Sequence, residues 1–217
     1  MPGEDILEGL KRSLIALDDQ ELNQLLKEGL QAGMTPMEMI TDGLRPGLNA
    51  VNQQLRNDRI PLSDWVLANQ ILDGALDMLF PLIEADSETR GEVMVIGAVM
   101  GDPHRIGKQS VSHVFTKMGY KVIDIGERVP ASKFVEAVKE HKASIVAASA
   151  GGVSNEVHCR DINQALVDAG IREEVIYIIG GGGMTQESSE RSGADCYAED
   201  ALDALNKVKL IRQRKGI

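Results

Sequence analysis

Aromatic side chains are scarce: three Phe, three Tyr and one Trp make up only 3% of the 217 residues. Few rings are left on which unpaired bases could stack. Positive charge is in short supply too, with 23 Lys and Arg against 33 Asp and Glu and a formal net charge of −10. That balance repels phosphate backbones and anionic membrane surfaces, so no nucleic-acid or membrane partner is expected. No apolar run approaches the length of a membrane span. The acidic Met1-Pro2-Gly3-Glu4-Asp5 leads into an amphipathic helix and lacks the pattern of a secretory signal. The two cysteines, Cys159 and Cys196, stand far apart and form no metal-type pair. They read as free thiols of a reducing cytoplasm, in packing roles. Hydrophobic residues at 43% and charged residues at 26% are an ordinary globular balance. The length suits one large domain or two small ones.

What is present changes character part-way along the chain. Residues 5–89 read as helices. Ile6, Leu7, Leu10, Leu14 and Ile15 recur at helical spacing. Asp18 with Glu21, and Thr35 with Glu38, are capping patterns, the second followed by a first-turn Pro36. A third helix carries Met39, Ile40, Leu44, Leu48 and Val51, and Pro46 inside it predicts a kink or break. Ser63 is placed to cap a fourth, with Leu67, Ile71, Leu72, Leu76 and Leu79 on its apolar face. Four helices with short connections predict an antiparallel bundle. The polar stretch 84–91 is the expected boundary and hinge, dividing domain 1–88 from domain 89–217.

From Glu92 strands alternate with helices. Strands are expected at Val93–Val99, Lys121–Ile125, Ser144–Ser149, Val175–Ile179 and near Asp195–Tyr197. Near-continuous apolar strands between helices predict a five-stranded parallel sheet of flavodoxin or Rossmann type, covered by helices on both faces. The loops beyond the strands' carboxyl ends are where such sheets hold ligands. Three of those loops carry unusual residues: Asp102-Pro103-His104-Arg105-Ile106-Gly107, Ser149-Ala150-Gly151-Gly152, and Gly180-Gly181 within a run of four glycines. An imidazole at that edge, with a carboxylate two residues before it, is a potential metal ligand whose other ring nitrogen has an acceptor.

These motifs, in this order, resemble those of the corrinoid proteins of methyl-transfer systems, which are similar to the cobalamin-binding part of methionine synthase. That family carries D-x-H-x-x-G, S-x-L and G-G at the ends of its first, third and fourth strands. The resemblance extends to Gly119-Tyr120-Lys121-Val122-Ile123-Asp124-Ile125-Gly126, to Val129-Pro130, to Gly193-Ala194-Asp195, and to the helical part as the family's cap. It implies a cobalamin cofactor, base-off, with His104 replacing the cofactor's own benzimidazole as the lower axial ligand of cobalt. Asp102 would accept the other ring N–H, and the Ser149 hydroxyl would bond the base of the displaced tail. Arg105, Ile106, Gly107, Ala150, Gly151, Gly180 and Gly181 complete the expected cofactor contacts. Two departures stand out. Gly151 replaces the motif Leu, which predicts a wider tail pocket. The hydroxyl that extends the family's Asp–His relay falls near Ser154, with Asn155 in the closest register.

The implied function is a cytoplasmic methyl carrier. It takes a methyl group on cobalt from one methyltransferase (donor methanol, a methylamine or a methoxyaromatic) and hands it to a second, with tetrahydrofolate or a thiol as acceptor. A reductive activator is a further implied partner, and no catalytic residue of its own is expected. The alternatives are the cobalamin subunit of a carbon-skeleton mutase and a B12-sensing regulator. A bound adenosyl ligand would favour the first, and the acidic charge argues against the second. A phosphoacceptor domain of the same fold would need an acidic pair after the first strand and a lysine after the last.

Overall fold

In the computed structural model, which describes residues 2–83 and 91–215, α1 (Pro2–Ala16) and α2 (Asp19–Gln31) form the first helical pair. The Asp18 carboxylate accepts the Glu21 N–H at 2.9 Å and so satisfies one of the donors a helix start leaves open. Thr35 does the same for Glu38 at 3.2 Å ahead of α3 (Pro36–Glu38). The kink expected from Pro46 takes a specific form. A π-helical turn, Met39–Leu44, joins α3 to α4 (Arg45–Arg56), and the Arg45 N–H bonds the Ile40 carbonyl five residues back. Proline supplies no N–H and crowds the carbonyl four residues before it, and a widened turn relieves that conflict without ending the helix. This segment lies close to α1: a Cβ on Gly43 would stand 3.0 Å from Leu10, and one on Gly47 3.1 Å from the Lys11 carbonyl.

Helix α5 (Leu62–Leu79) corrects one expectation. Its N-cap is Pro61, which makes no side-chain cap, and the Ser63 hydroxyl donates instead to Asp64 at 3.2 Å. Trp65 Nε1 donates to Asn52 at 2.7 Å and ties α5 to α4. Leu10, Leu14, Leu26, Leu44 and Leu76 are fully or almost fully buried between the helices. Each contributes roughly 1.5–3 kcal/mol relative to exposure. The chain divides into two units, residues 1–84 and 85–217. Most of the polar stretch read as a hinge, residues 84–90, lies outside the described residues.

The second unit contains β1 (Val93–Ala98), β2 (Lys121–Asp124), β3 (Ile145–Ser149), β4 (Ile176–Gly180) and β5 (Cys196–Ala198). Among the described residues they form one all-parallel sheet in the order β2-β1-β3-β4-β5. Alternation along the strands sends Val95, Val146 and Tyr177 into a core with Phe134 and Val138 of α7 (Ala131–His141) and Ile162 and Leu166 of α8 (Glu156–Asp168). α9 (Gln186–Ser192) packs on α8. α6 (Ile106–Lys117) and α10 (Ala201–Lys215) pack together on the other side. Arg191 of α9 grips Glu156, at the start of α8, with two hydrogen bonds of 2.8 and 2.6 Å. This pairing holds the Glu156 carboxyl down at about 2.

A carboxylate depressed in the folded state stabilises above its unfolded value, about 4.3, and loses that contribution as pH falls. Glu156→Gln should therefore lower the urea midpoint modestly near neutral pH, with the deficit vanishing between about pH 4 and pH 2. A pH-independent deficit would contradict the ion pair.

Candidate functional site

After β1 the chain continues through a single bridge, Val99 to Val129, and then turns at Gly101, whose φ of +80° suits glycine. The Asp102 N–H closes the turn on the Val99 carbonyl at 3.0 Å, while the Arg128 N–H reaches the Asp102 carbonyl at 3.1 Å. Asp102 is thereby carried inside, with its side chain fully shielded from solvent. A buried carboxylate must be matched by donors, and here there are three. The His104 backbone N–H donates to Oδ1 at 3.0 Å, His104 Nδ1 to the same oxygen at 2.6 Å, and the Gly151 N–H to Oδ2 at 2.5 Å. The first two come from the loop after β1 and the last from the loop after β3. In the order β2-β1-β3 these neighbouring loops diverge, so the carboxylate spans the topological switch point.

The acceptor-only carboxylate decides the state of the ring. In the neutral imidazole, Nδ1 is then the nitrogen that carries the hydrogen and Nε2 the one with the lone pair, with no partner among the described residues. The imidazole side chain is 73% exposed. Among the described residues no group of three or more His, Cys, Asp or Glu is gathered to hold a metal ion. A lone imidazole of this kind suits a metal that brings its other ligands with it, as cobalt does in a corrin, and imidazole suits such a borderline ion. The chain's residues therefore fit that group.

The glycines divide into two sets. A Cβ on Gly181 (φ +115°) or Gly183 would overlap the backbone of Ala150 or of Gly152, so the loop after β4 lies directly against the loop after β3. That close approach is why the run exceeds what a turn needs. Gly180 faces the Ala198 carbonyl, which a Cβ would approach to 2.8 Å. Gly107, in the first turn of α6, has open space instead. Ser149 pairs with Gly180 across β3 and β4, and both share the sheet side covered by α6 and α10. The Ser149 side chain is half-buried and its hydroxyl has no partner among the described residues.

Some expected contacts are placed differently. The Ala150 side chain is fully buried in the core beside α7 and α8, so only its backbone is at the edge. Arg105 is exposed at the start of α6, where the side chain of Ile106 lies outside the described set. At Gly151 the His104 ring lies in the space a side chain would take: a Cβ there would stand 2.5 Å from Nδ1. The relay's third partner is the Gly151 N–H, while Asn155 holds the Gly152 N–H at 3.1 Å and the Met100 carbonyl at 3.4 Å.

Lys108 was missed from the sequence. It is 2% exposed and bonds both Asp124 oxygens at 2.5 Å, with Glu127 at 3.3 Å, tying α6 to the loop after β2. Its phase with Val111 and Phe115 on the inward face of α6 was an available signal. Met100 and Val153, 40% and 74% exposed, add apolar surface at this edge that no periodicity reveals. Neither cysteine takes part: burial pushes both thiols up to about 12.

Comparison with known proteins gives the class of this fold and site, the B12-binding proteins. Residues 92–206 match the B12 binding domain family, and residues 6–80 match a second B12 binding domain family. Over 210 residues the chain is 33% identical to trimethylamine corrinoid protein 1 of Methanosarcina acetivorans, covering 96% of this chain and 97% of that protein. A cobalamin-binding protein from Desulfitobacterium hafniense superposes with a TM-score of 0.66 at 26% identity, over 96% of this chain and 98% of the other. The monomethylamine corrinoid protein of Methanosarcina barkeri shares the fold, with a TM-score of 0.72 at 23% identity, over 96% and 98%. The chain belongs to the B12-binding corrinoid proteins of methyltransferase systems. No helix among the described residues is long and apolar enough to cross a membrane.

The site's two central residues should separate in stability. Asp102→Ala removes the acceptor of three part-buried N–H groups at once, so its urea midpoint should fall clearly. His104→Ala removes one of the three donors, the ring N–H, and keeps both backbone bonds, so its loss should be the smaller, about 1–2 kcal/mol. Equal losses would contradict the carboxylate's role as the organising group.

Proposed function

We propose that the chain, a helical domain 1–88 followed by an α/β domain 89–217, is a cytoplasmic methyl carrier in which His104 is the lower axial ligand of a base-off cobalamin. When bound, the corrinoid supplies a cobalt centre that takes up and gives back a methyl group. The observation that carries this reading is the Asp102–His104 pair, in which the carboxylate holds Nδ1 and leaves Nε2 available. Asp102 fixes the tautomer and strengthens donation from Nε2, as carboxylate partners of ligating histidines do. The open space at Gly107 and the free Ser149 hydroxyl, on the α6 side of the sheet, support that side as the path of the nucleotide tail.

The name of the trimethylamine relative, matched over nearly the whole length of both chains, favours a methylated amine on the donor side. The partners are then a donor-side methyltransferase, an acceptor-side methyltransferase using a thiol or tetrahydrofolate, and a reductive activator. Donor choice then rests with the partner enzyme's pocket.

Reconstitution with cobalamin, read by absorption spectroscopy, tests the assignment. Wild type should load one corrinoid with the spectrum of a nitrogen-ligated, base-off cofactor. His104→Ala should lose that spectrum, and Asp102→Asn should bind about 10–100-fold more weakly or lose comparable activity. A wild-type protein that stays colourless, or an unaltered spectrum in His104→Ala, would refute it.

A further inference from the structure

Lys108 is poorly placed for stability. Its ammonium is buried, and it stands in the first turn of α6, where the helix dipole already presents positive charge. Three acceptors answer its three donors: both Asp124 oxygens at 2.5 Å and a Glu127 oxygen at 3.3 Å. Those two carboxylates stay 39% and 36% exposed, whereas the ammonium is shut off from water. An apolar side chain of similar length would often do as well for stability. What the ammonium adds is a tie.

The tie closes a ring. The histidine loop starts at Asp102, whose carbonyl accepts the Arg128 N–H at 3.1 Å, and ends at Lys108, held by Asp124 and Glu127. Both ends of 102–108 are therefore fastened to the one segment 124–128. That segment is itself fixed to β1. The Ile125 N–H donates to the Ile96 carbonyl at 2.9 Å, the Ala98 N–H to the Gly126 carbonyl at 3.0 Å, and the Val129 N–H to the Ala98 carbonyl at 2.9 Å. Asp124 Oδ1 also accepts the Gly126 N–H at 2.9 Å, so the carboxylate that takes the ammonium shapes the turn as well. A capping side chain does not share this task, because Arg105 stands at the N-cap of α6 and makes no cap bond.

We propose that Lys108 is a positioning residue for His104: its tie to Asp124 and Glu127 closes the histidine loop on the end of β2 and holds the imidazole in place for cobalt. The consequence for cobalt rests on the reading of His104 as axial ligand; the closed loop does not. Cutting the tie leaves the Asp102 end fastened and frees the end at α6. The loop then opens locally without unfolding the sheet, and the imidazole is in position for a smaller share of the time.

The test compares Lys108→Met and Asp124→Asn with wild type in the full chain. Lys108→Met removes the buried cation and leaves two carboxylates that water already reaches, so its urea midpoint should hold. Asp124→Asn strands the buried ammonium with Glu127 as its remaining charge partner, so its midpoint should fall. Both should open the loop. Without cofactor, the His104 and Arg128 amides should exchange about tenfold faster than in wild type, with the β3 and β4 amides of Lys108→Met unchanged. After loading with cobalamin, a smaller share of the Co(II) paramagnetic resonance spectrum should carry nitrogen splitting in both variants. If Lys108→Met fails to fold, the same two readouts in Asp124→Asn decide. A folded Lys108→Met with wild-type exchange and undiminished splitting would overturn the proposal, because ligation would then follow stability and not the tie. Missing nitrogen splitting in the wild type would instead remove the axial-ligand reading, and the exchange rates would decide the closed loop.

Discussion

A carboxylate buried at the end of a central strand imposes conditions on everything around it. Asp102 is shielded from water, and its charge is tolerable only because three N–H groups converge on it. Two of those donors belong to His104, so the loop after β1 has to fold back on itself. The third is the Gly151 backbone, so the loop after β3 has to come within hydrogen-bond reach. The glycines after β4 then have to lie flat, since Gly181 and Gly183 press on the very backbone that Asp102 holds. Three loops are thus registered by one side chain, and the exposed product of that registration is a single imidazole nitrogen.

This arrangement fixes one imidazole more than it stabilises the fold. A buried ion is weak evidence of net stabilisation, because apolar packing of similar volume often does as well. Its value here is orientation. An exposed histidine on a loop ordinarily samples several rotamers and both tautomers. Asp102 removes the second freedom, and the ring's contact with Gly151 restrains the first. Lys108 adds support from beneath: buried against Asp124 and Glu127, it fastens the start of α6, the helix that follows the histidine loop, to the sheet.

Much of this was legible in the sequence, and the exceptions have physical causes. Strand positions followed from apolar runs, because both faces of a parallel sheet are covered. Asp18 and Thr35 were readable as caps because an N-cap needs only a local side chain and a donor three residues on. Ser63 misled because Pro61 already sets the entry to α5, with Leu62 as its first residue. Pro46 announced a disturbance but not its form, since whether a helix breaks or widens depends on what packs beside it, here α1 against Gly43 and Gly47. The pairing of Asp102 with His104 was readable from their spacing. The ring's place against Gly151 was not, because the two come from different loops and the space left by a missing side chain has no pattern along the chain.

The central claim is that Nε2 of His104, made available by Asp102, is what the protein offers to cobalt. The most direct measurement is electron paramagnetic resonance of the Co(II) protein, prepared once with natural-abundance histidine and once with histidine labelled with nitrogen-15. The account predicts nitrogen triplets on the cobalt hyperfine lines in the first sample, doublets in the second, and neither in His104→Ala. Triplets that persist through histidine labelling, or that survive the loss of His104, would show that the axial nitrogen comes from somewhere else.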